Sequence, residues 1–378
     1  MATQKIKVIC AMSGGIDSSV SAALLKKAGF DVVGIFIKFW SDCDESYRVG
    51  LNKNRCCSAE SENRARKIAR ILNIPFYILD LQKEFKEKIV DSFLDGYKKG
   101  ITPNPCVICN KEIKFGLLLE KALGLGADFV ATGHYAVKNE KSCLSGRQAK
   151  IKNQNYRILT SADDLKDQTY FLHKLSQKQL KHILFPVGEY TKPQVRKLAK
   201  KFKLPVLETP ESQEVCFIPG ETEVFLKKYL KEKPGDIVNL QGNKLGEHSG
   251  LWFYTIGQRK GIGLPGGPYY VVKKDLKKND LIVTKDEKNL EQKEVIFENP
   301  NWISGQEPNF PLKVEAKIRY RHPLAPALIS KTGKEGIFKA VFKDPQRAVT
   351  PGQSIVFYNA KVEEKGRREV LGGGTIVR

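Results

Sequence analysis

An α/β fold is predicted, with an N-terminal domain built on a parallel sheet, a small, mostly helical central domain and a C-terminal β-barrel. Three features of the 378-residue sequence predict it. Apolar, β-rich runs alternate with amphipathic stretches as far as Tyr135. A basic, helix-patterned segment begins at about Lys166. Beyond Gly235 the apolar runs shorten, become β-branched and are separated by Gly, Pro, Asn and Asp.

In the first region, Ile6–Met12, Val32–Trp40, Phe76–Leu81 and Asp128–Thr132 read as strands. Between them Ser18–Ala28, Ser58–Leu72 and Lys111–Leu123 place apolar residues at helical spacing. Strand-helix alternation of this kind predicts a parallel sheet covered on both faces, joined by right-handed crossovers. In the central region Lys192–Lys203 reads as a helix, with Pro193 near its start and Leu204-Pro205 ending it. The barrel strands are expected at Tyr269–Lys273, Leu281–Thr284, Leu312–Tyr320, Ile337–Phe342 and Ser354–Tyr358. The resulting domains are 1–165, 166–235 and 236–378.

Composition limits the function. With 41% hydrophobic residues and no low-complexity tract, the chain has the means to bury cores and is not of the disordered class. No run approaches the ~18 apolar residues of a membrane span, and only a few residues precede the first apolar run, so a cytoplasmic protein with no membrane partner is expected. Sixty-four Lys and Arg against 42 Asp and Glu leave a formal charge of +22, which points to a polyanion, nucleic acid first, as partner. Eight cysteines are few for a disulfide-framed chain of this length and are expected to be thiols.

The first strand runs directly into Ser13-Gly-Gly-Ile-Asp-Ser-Ser19 and a helix. A Gly-rich turn at a helix N-terminus gathers unpaired N–H groups and the positive end of the helix dipole, which suits a phosphate. Gly14 and Gly15 let the backbone approach an anion, while Ser13, Ser18 and Ser19 offer hydroxyls. Asp17 is out of place beside an anion unless it holds a Mg²⁺ ion. The Gly-Lys-Ser/Thr ending of a P-loop is missing, and so is a dinucleotide-type Gly-x-Gly-x-x-Gly. The segment resembles instead the SGGxDS signature of the Rossmann-like PP-loop ATP pyrophosphatases. That resemblance implies ATP and Mg²⁺ as cofactors, adenylation of a carbonyl or amide oxygen, and AMP and pyrophosphate as products.

In Thr102-Pro-Asn-Pro-Cys-Val-Ile-Cys-Asn-Lys-Glu-Ile-Lys-Phe115, Asn104 is placed to cap a helix that begins at Pro105. Cys106 and Cys109 then lie in its opening turns, where the dipole, Lys111 and Lys114 favour a thiolate. Their spacing of three puts both sulfurs on one face, within reach of each other or of a shared metal.

These segments, together with Ala131–Tyr135, Lys166–Leu172, Val215–Ile218, Gly257–Gly263, Thr350–Tyr358 and Leu371–Gly374, resemble the tRNA-specific 2-thiouridylases nearly end to end. The resemblance implies a PP-loop domain, a small central domain and a C-terminal barrel. It also implies thiolation of the anticodon wobble uridine at its 2-position. Cys109 becomes the catalytic thiol and Cys216 the persulfide carrier. Cys106 stands where many members have Asp, so an acid-base role there is in question.

Cys106, Cys109 and Cys216 are equally the number of ligands that leave one iron of a [4Fe–4S] cluster open to hydrosulfide, and both routes stay open. The implied ATP contacts are Ala11, Met12, Ser13, Gly14, Gly15, Asp17, Ser18 and Ser19, with Ile37 and Gly133 on neighbouring strands. The implied tRNA contacts are Asn104, Pro105, Cys106 and His134, then Lys166, Asp167 and Gln168, and from the barrel Arg319, Tyr320 and Gln353. A sulfur donor, such as a cysteine desulfurase or a sulfur-relay protein, is the further partner. Cys56 and Cys57 read as a secondary relay or as structural, Cys10 as core, and Cys43 and Cys143 carry no role.

Overall fold

The structure is a computed structural model and describes residues 5–42, 58–138, 156–207, 215–218 and 220–377. Cys43, Cys56, Cys57 and Cys143 lie outside the described residues. The first sheet contains β1 (Lys7–Ala11), β2 (Asp31–Lys38), β3 (Phe76–Asp80) and β4 (Phe129–Ala131). A short antiparallel pair, β5 (Val137–Lys138) and β6 (Ile158–Leu159), follows, and β7 (Ile183–Leu184) returns to the first sheet. Its order is β3-β2-β1-β4-β7, all parallel. β1 is central and buried on both faces, which is why its sequence is a continuous apolar run and not an alternating one.

Because β2 and β4 flank β1 on opposite sides, the chain reverses its direction of winding at β1. The crevice beyond the carboxyl ends of β1 and β4 is therefore the site that such a sheet offers a ligand. Helix α1 (Ile16–Lys27) starts there and is rich in Ser and Ala. Its small side chains allow close packing on the sheet, with Val195 and Ala199 of the Lys192–Lys201 helix in the same core cluster. Helix α2 (Ala59–Ile71) is capped by Ser58, whose hydroxyl accepts from the Ser61 N–H.

The stretch from 166 to 234 carries the helices Lys192–Lys201 and Thr222–Tyr229, in keeping with a helical middle. Two of its pieces nevertheless pack with the first sheet: β7 is its fifth strand, and the Lys192–Lys201 helix lies against α1. A two-residue strand beside Phe185-Pro186 leaves too short a pattern to be read. The division expected at 165/166 thus falls inside a continuous packed layer.

β8 (Gly235–Val238), β9 (Lys244–His248), β10 (Tyr270–Asp275) and β11 (Asp280–Thr284) form a separate four-stranded sheet. The closed barrel is made by β12 (Glu291–Trp302), β13 (Leu312–Lys317), β14 (Ala325–Lys331), β15 (Ile337–Arg347), β16 (Ser354–Tyr358) and β17 (Val370–Ile376). A core cluster containing Phe115, Tyr170, Ile183, Val356 and Tyr358 joins the first domain to the barrel.

Candidate active site

Gly14 has φ 73°, and a Cβ there would lie 2.4 Å from the Ser61 carbonyl oxygen, so both the turn and the approach of α2 require glycine. Gly15 caps α1 without a side chain, which leaves first-turn N–H groups open toward the crevice. Ser18 and Ser19 turn their hydroxyls inward, donating to the Gly15 carbonyl at 3.1 and 2.6 Å. They shape the loop, and Ser13 alone of the three presents an exposed side chain. Ala11 ends β1, Met12 is buried and donates its N–H to Ile35 O at 2.8 Å, and Ile37 is buried in β2 with its backbone near the strand's end.

Asp17 is not a vacant carboxylate. Lys192 Nζ donates to both its oxygens at 2.8 Å, and Tyr135 Oη donates to Oδ1 at 2.7 Å. The expected metal ligand is thus occupied by an ammonium and a phenol, and a metal ion does not fit beside it in this arrangement. Tyr135 is itself held by Gln168, whose Oε1 accepts its N–H at 3.0 Å and whose N–H donates to its carbonyl at 2.9 Å. Gly133 packs against the start of α1, where a Cβ would lie 2.6 Å from Ser18 N. His134 is buried, its Nδ1 2.7 Å from Thr132 Oγ1, and burial, with Lys114 nearby, pushes it well below the usual imidazole range. It is therefore neutral at pH 7.

Pro105 begins a helix in which the hydrogen bonding widens to π-helical over Cys109–Leu117. Such widened turns recur at functional sites. Asn104 occupies the capping position, but its side chain makes no cap bond. Cys106 is half-buried and electrostatically close to Tyr320. Cys109 is buried in a cluster with Ile113, Phe93 and Phe217. Phe217 is fully buried, its ring centroid 5.4 Å from Phe93 and 5.7 Å from Phe85, and it anchors the neighbouring Cys216 against that same cluster. Among the described residues no three His, Cys, Asp or Glu side chains are gathered to hold one metal ion, so the geometry does not assign a cluster to Cys106, Cys109 and Cys216.

Several expected tRNA contacts are internal. Asp167 is 6% exposed and accepts from Ser161 N–H at 2.9 Å and Thr169 Oγ1 at 2.6 Å; burial raises it to about 6. Arg319 bridges the four-stranded sheet and the barrel by donating to Ile256 O at 3.0 Å and to Thr350 Oγ1. Gln353 donates to Thr102 O at 2.8 Å. Tyr320 lies over Phe171 with centroids 4.4 Å apart. Lys166 is half-buried, its N–H donating to Asp163 Oδ1 at 3.2 Å.

Lys192 and Tyr135 were not found by sequence reasoning. One signal was present: Lys192 opens a helix, the end at which the dipole disfavours a cation unless something outside the helix holds it.

Family models match in three consecutive pieces: "tRNA methyl transferase HUP domain" over residues 6–220, "tRNA methyl transferase PRC-barrel domain" over 223–285 and "Aminomethyltransferase beta-barrel domain" over 292–376. These limits coincide with the parallel sheet, the four-stranded sheet and the closed barrel. The chain is 46% identical over 376 residues to the tRNA-specific 2-thiouridylase MnmA 2 of Thermoanaerobacter sp. (strain X514), covering 98% of each chain. The chain belongs to the tRNA-specific 2-thiouridylase family, MnmA. Other MnmA relatives include those of Clostridioides difficile (44% over 375 residues, 98% of each chain) and Carboxydothermus hydrogenoformans (42% over 377 residues, 98% of this chain and 97% of the other). An NMN synthetase structure from Francisella tularensis is 17% identical with a TM-score of 0.29, covering 55% of this chain and 66% of its own, a likeness too low to bear on the MnmA fold. In MnmA terms, the loop at Ser13–Ser19 belongs to an ATP-using HUP domain.

Proposed function

We propose that this protein is an ATP-dependent tRNA sulfurtransferase that replaces the 2-oxygen of the anticodon wobble uridine with sulfur. The observation that carries the reading is that Cys109 lies in, and Cys216, from a distant part of the chain, packs against, one core cluster in a molecule whose α1 presents an uncapped N-terminus.

The wobble uridine is everted into the crevice, since an atom inside a base stack is out of reach. Its O2 attacks the α-phosphorus of ATP, forming the adenylated base and releasing pyrophosphate. The α1 N–H groups stabilise charge on the departing phosphates, where a Mg²⁺ ion carried in by the nucleotide would supply further neutralisation. The terminal sulfur of a Cys216 persulfide attacks C2 and AMP leaves. Cys109 thiolate then attacks the Cys216 sulfur, which frees the 2-thiouridine and leaves a Cys109–Cys216 disulfide. An external thiol reduces that disulfide, and a donor of the cysteine desulfurase or sulfur-relay class reloads Cys216. The charge of +22 supports a tRNA partner through counterion release. Among the described residues no helix is long and apolar enough to cross a membrane. A cytoplasmic site is proposed because tRNA is the substrate.

The family models' descriptions name methyl transfer, which offers a second reading. Methyl transfer needs neither ATP cleavage nor paired thiols, so the two readings give different products. Unmodified tRNA is incubated with ATP, a sulfane-sulfur donor and a thiol reductant, or with S-adenosylmethionine, and the nucleosides are resolved by mass spectrometry. Formation of 2-thiouridine with one AMP per sulfur is expected. Methylated nucleoside without AMP overturns the proposal.

A further inference from the structure

Cys106 and Cys109 stand one helical turn apart. The Cys109 N–H donates to the carbonyls of both Cys106 and Pro105, which closes the turn between the two cysteines. Three residues of helix put their Cα atoms about 5 Å apart, inside the range of about 4.4–6.8 Å that a disulfide spans. A bond between the two sulfurs therefore asks for side-chain rotation and no movement of the backbone.

The thiols differ in exposure. Cys109 is 7% exposed and belongs to the cluster that contains Phe93, Ile113 and Phe217, whereas Cys106, on the same stretch of helix, is half-buried. Cys216 is half-buried too, as a residue loaded by a partner has to be. While Cys216 is held in a disulfide with Cys109 it cannot be loaded again, so the cycle waits on whatever thiol opens that bond.

Resting on the persulfide reading of the reaction, we propose that Cys106 is a resolving thiol, which opens the Cys109–Cys216 disulfide and moves the bridge onto its own helix. Cys106 thiolate attacks Cys109 Sγ, a Cys106–Cys109 bond forms, and Cys216 leaves as a thiolate that takes up the proton Cys106 gave up. One S–S bond breaks and one forms, so the step itself neither oxidises nor reduces the protein. A nucleophile held one turn away has the advantage over any reductant that must diffuse in. The external thiol then attacks the half-buried Cys106 sulfur and returns the helix to its dithiol form, while Cys216 is already open to the sulfur donor. A carboxylate at position 106 has no part in such an exchange, so the step belongs to chains with cysteine there.

The test follows the bridge through one turnover. Full-length wild type, reduced and desalted under argon, is loaded from a sulfane-sulfur donor, desalted again, mixed with ATP and unmodified tRNA, and quenched at intervals with an alkylating reagent. Non-reduced peptides and 2-thiouridine are both quantified by mass spectrometry. At the end of the turnover the bridge is expected inside the peptide that holds Cys106 and Cys109, with alkylated Cys216 equal, mole for mole, to the 2-thiouridine formed. In Cys106→Ser the Cys109–Cys216 cross-link is expected to persist in every molecule that has turned over, whatever the rate of that turnover, until a thiol reductant is added. A bridge that stays at Cys109–Cys216 in wild type, or a cross-link lost from Cys106→Ser without reductant, overturns the role of Cys106 and leaves the persulfide route standing. Formation of 2-thiouridine with no bridge and no sulfur adduct on Cys216 overturns the persulfide route itself. Should Cys106→Ser fail to fold, the position of the bridge in wild type decides alone.

Discussion

Gln353, in the barrel, donates its side-chain amide to the carbonyl of Thr102 at 2.8 Å, and Thr102 N–H in turn donates to Pro351 O at 2.9 Å. Two hydrogen bonds thus fix the loop that leads into the Cys106–Cys109 helix to a domain some 250 residues away in sequence. Gln353→Ala should lower the thiolation rate several-fold while leaving ATP affinity within about twofold of wild type, and should cost about 1 kcal/mol of stability. Single-turnover thiolation, nucleotide binding and denaturant unfolding measure the three quantities separately. A parallel loss of ATP affinity would place the effect elsewhere than at the thiol-bearing helix.

Gly133→Ala is expected to abolish nucleotide binding. The added methyl would meet Ser18 N at 2.6 Å, and that atom is backbone in the first turn of α1, so the loop itself must shift. Overpacking of this kind destabilises by about 1–3 kcal/mol, and the lost ATP affinity should exceed the lost stability in proportion. Thermal unfolding with and without ATP reads both: the variant should melt somewhat lower and gain nothing from ATP.

Asp167 gives a pH signature. Burial raises its carboxyl to about 6, above the ordinary carboxylate value of 3.8, so the folded state binds a proton that the unfolded state has lost. Its contribution to stability is full below pH ~4 and is lost as pH rises through about 6. Relative to Asp167→Asn, wild type should therefore lose about 2–3 kcal/mol between pH 4 and pH 7. Urea unfolding of both proteins across that range isolates the group, because other titrations cancel in the difference. A pH-independent difference would mean that Asp167 is not desolvated.

Cys216→Ser should eliminate 2-thiouridine formation and spare tRNA-dependent AMP release, since adenylation precedes sulfur attack. Nucleoside mass spectrometry and AMP quantification on one sample read both steps. Retained thiolation would remove Cys216 from the reaction.

The parallel sheet, the phosphate turn and the β-rich end were legible because each has a local signature: an unbroken apolar run at β1, Ser13-Gly14-Gly15 before a helix, short β-branched runs after Gly235. What escaped depends on contacts remote in sequence. Lys192 meets Asp17 across 175 residues, and nothing around either residue announces the other. β7 is two residues long. The helical run 82–98, with Phe85, Ile89 and Phe93 buried, follows β3 and is not among the helices read from the sequence. Asp167 and Arg319 are tRNA contacts by resemblance alone, and a motif carries no burial; only the packed structure shows the internal partners that hold them.

The central claim is that sulfur travels through a Cys216 persulfide that Cys109 resolves. The most direct measurement is anaerobic purification with iron and sulfide analysis, run beside the tRNA thiolation assay on the same sample. Full activity in iron-free protein, with a sulfur adduct of about 32 Da on Cys216 before tRNA is added, is the result predicted from sulfur's atomic mass and the persulfide as nucleophile. Activity that rises and falls with stoichiometric iron, with no adduct on Cys216, would contradict it and assign the thiols to a cluster.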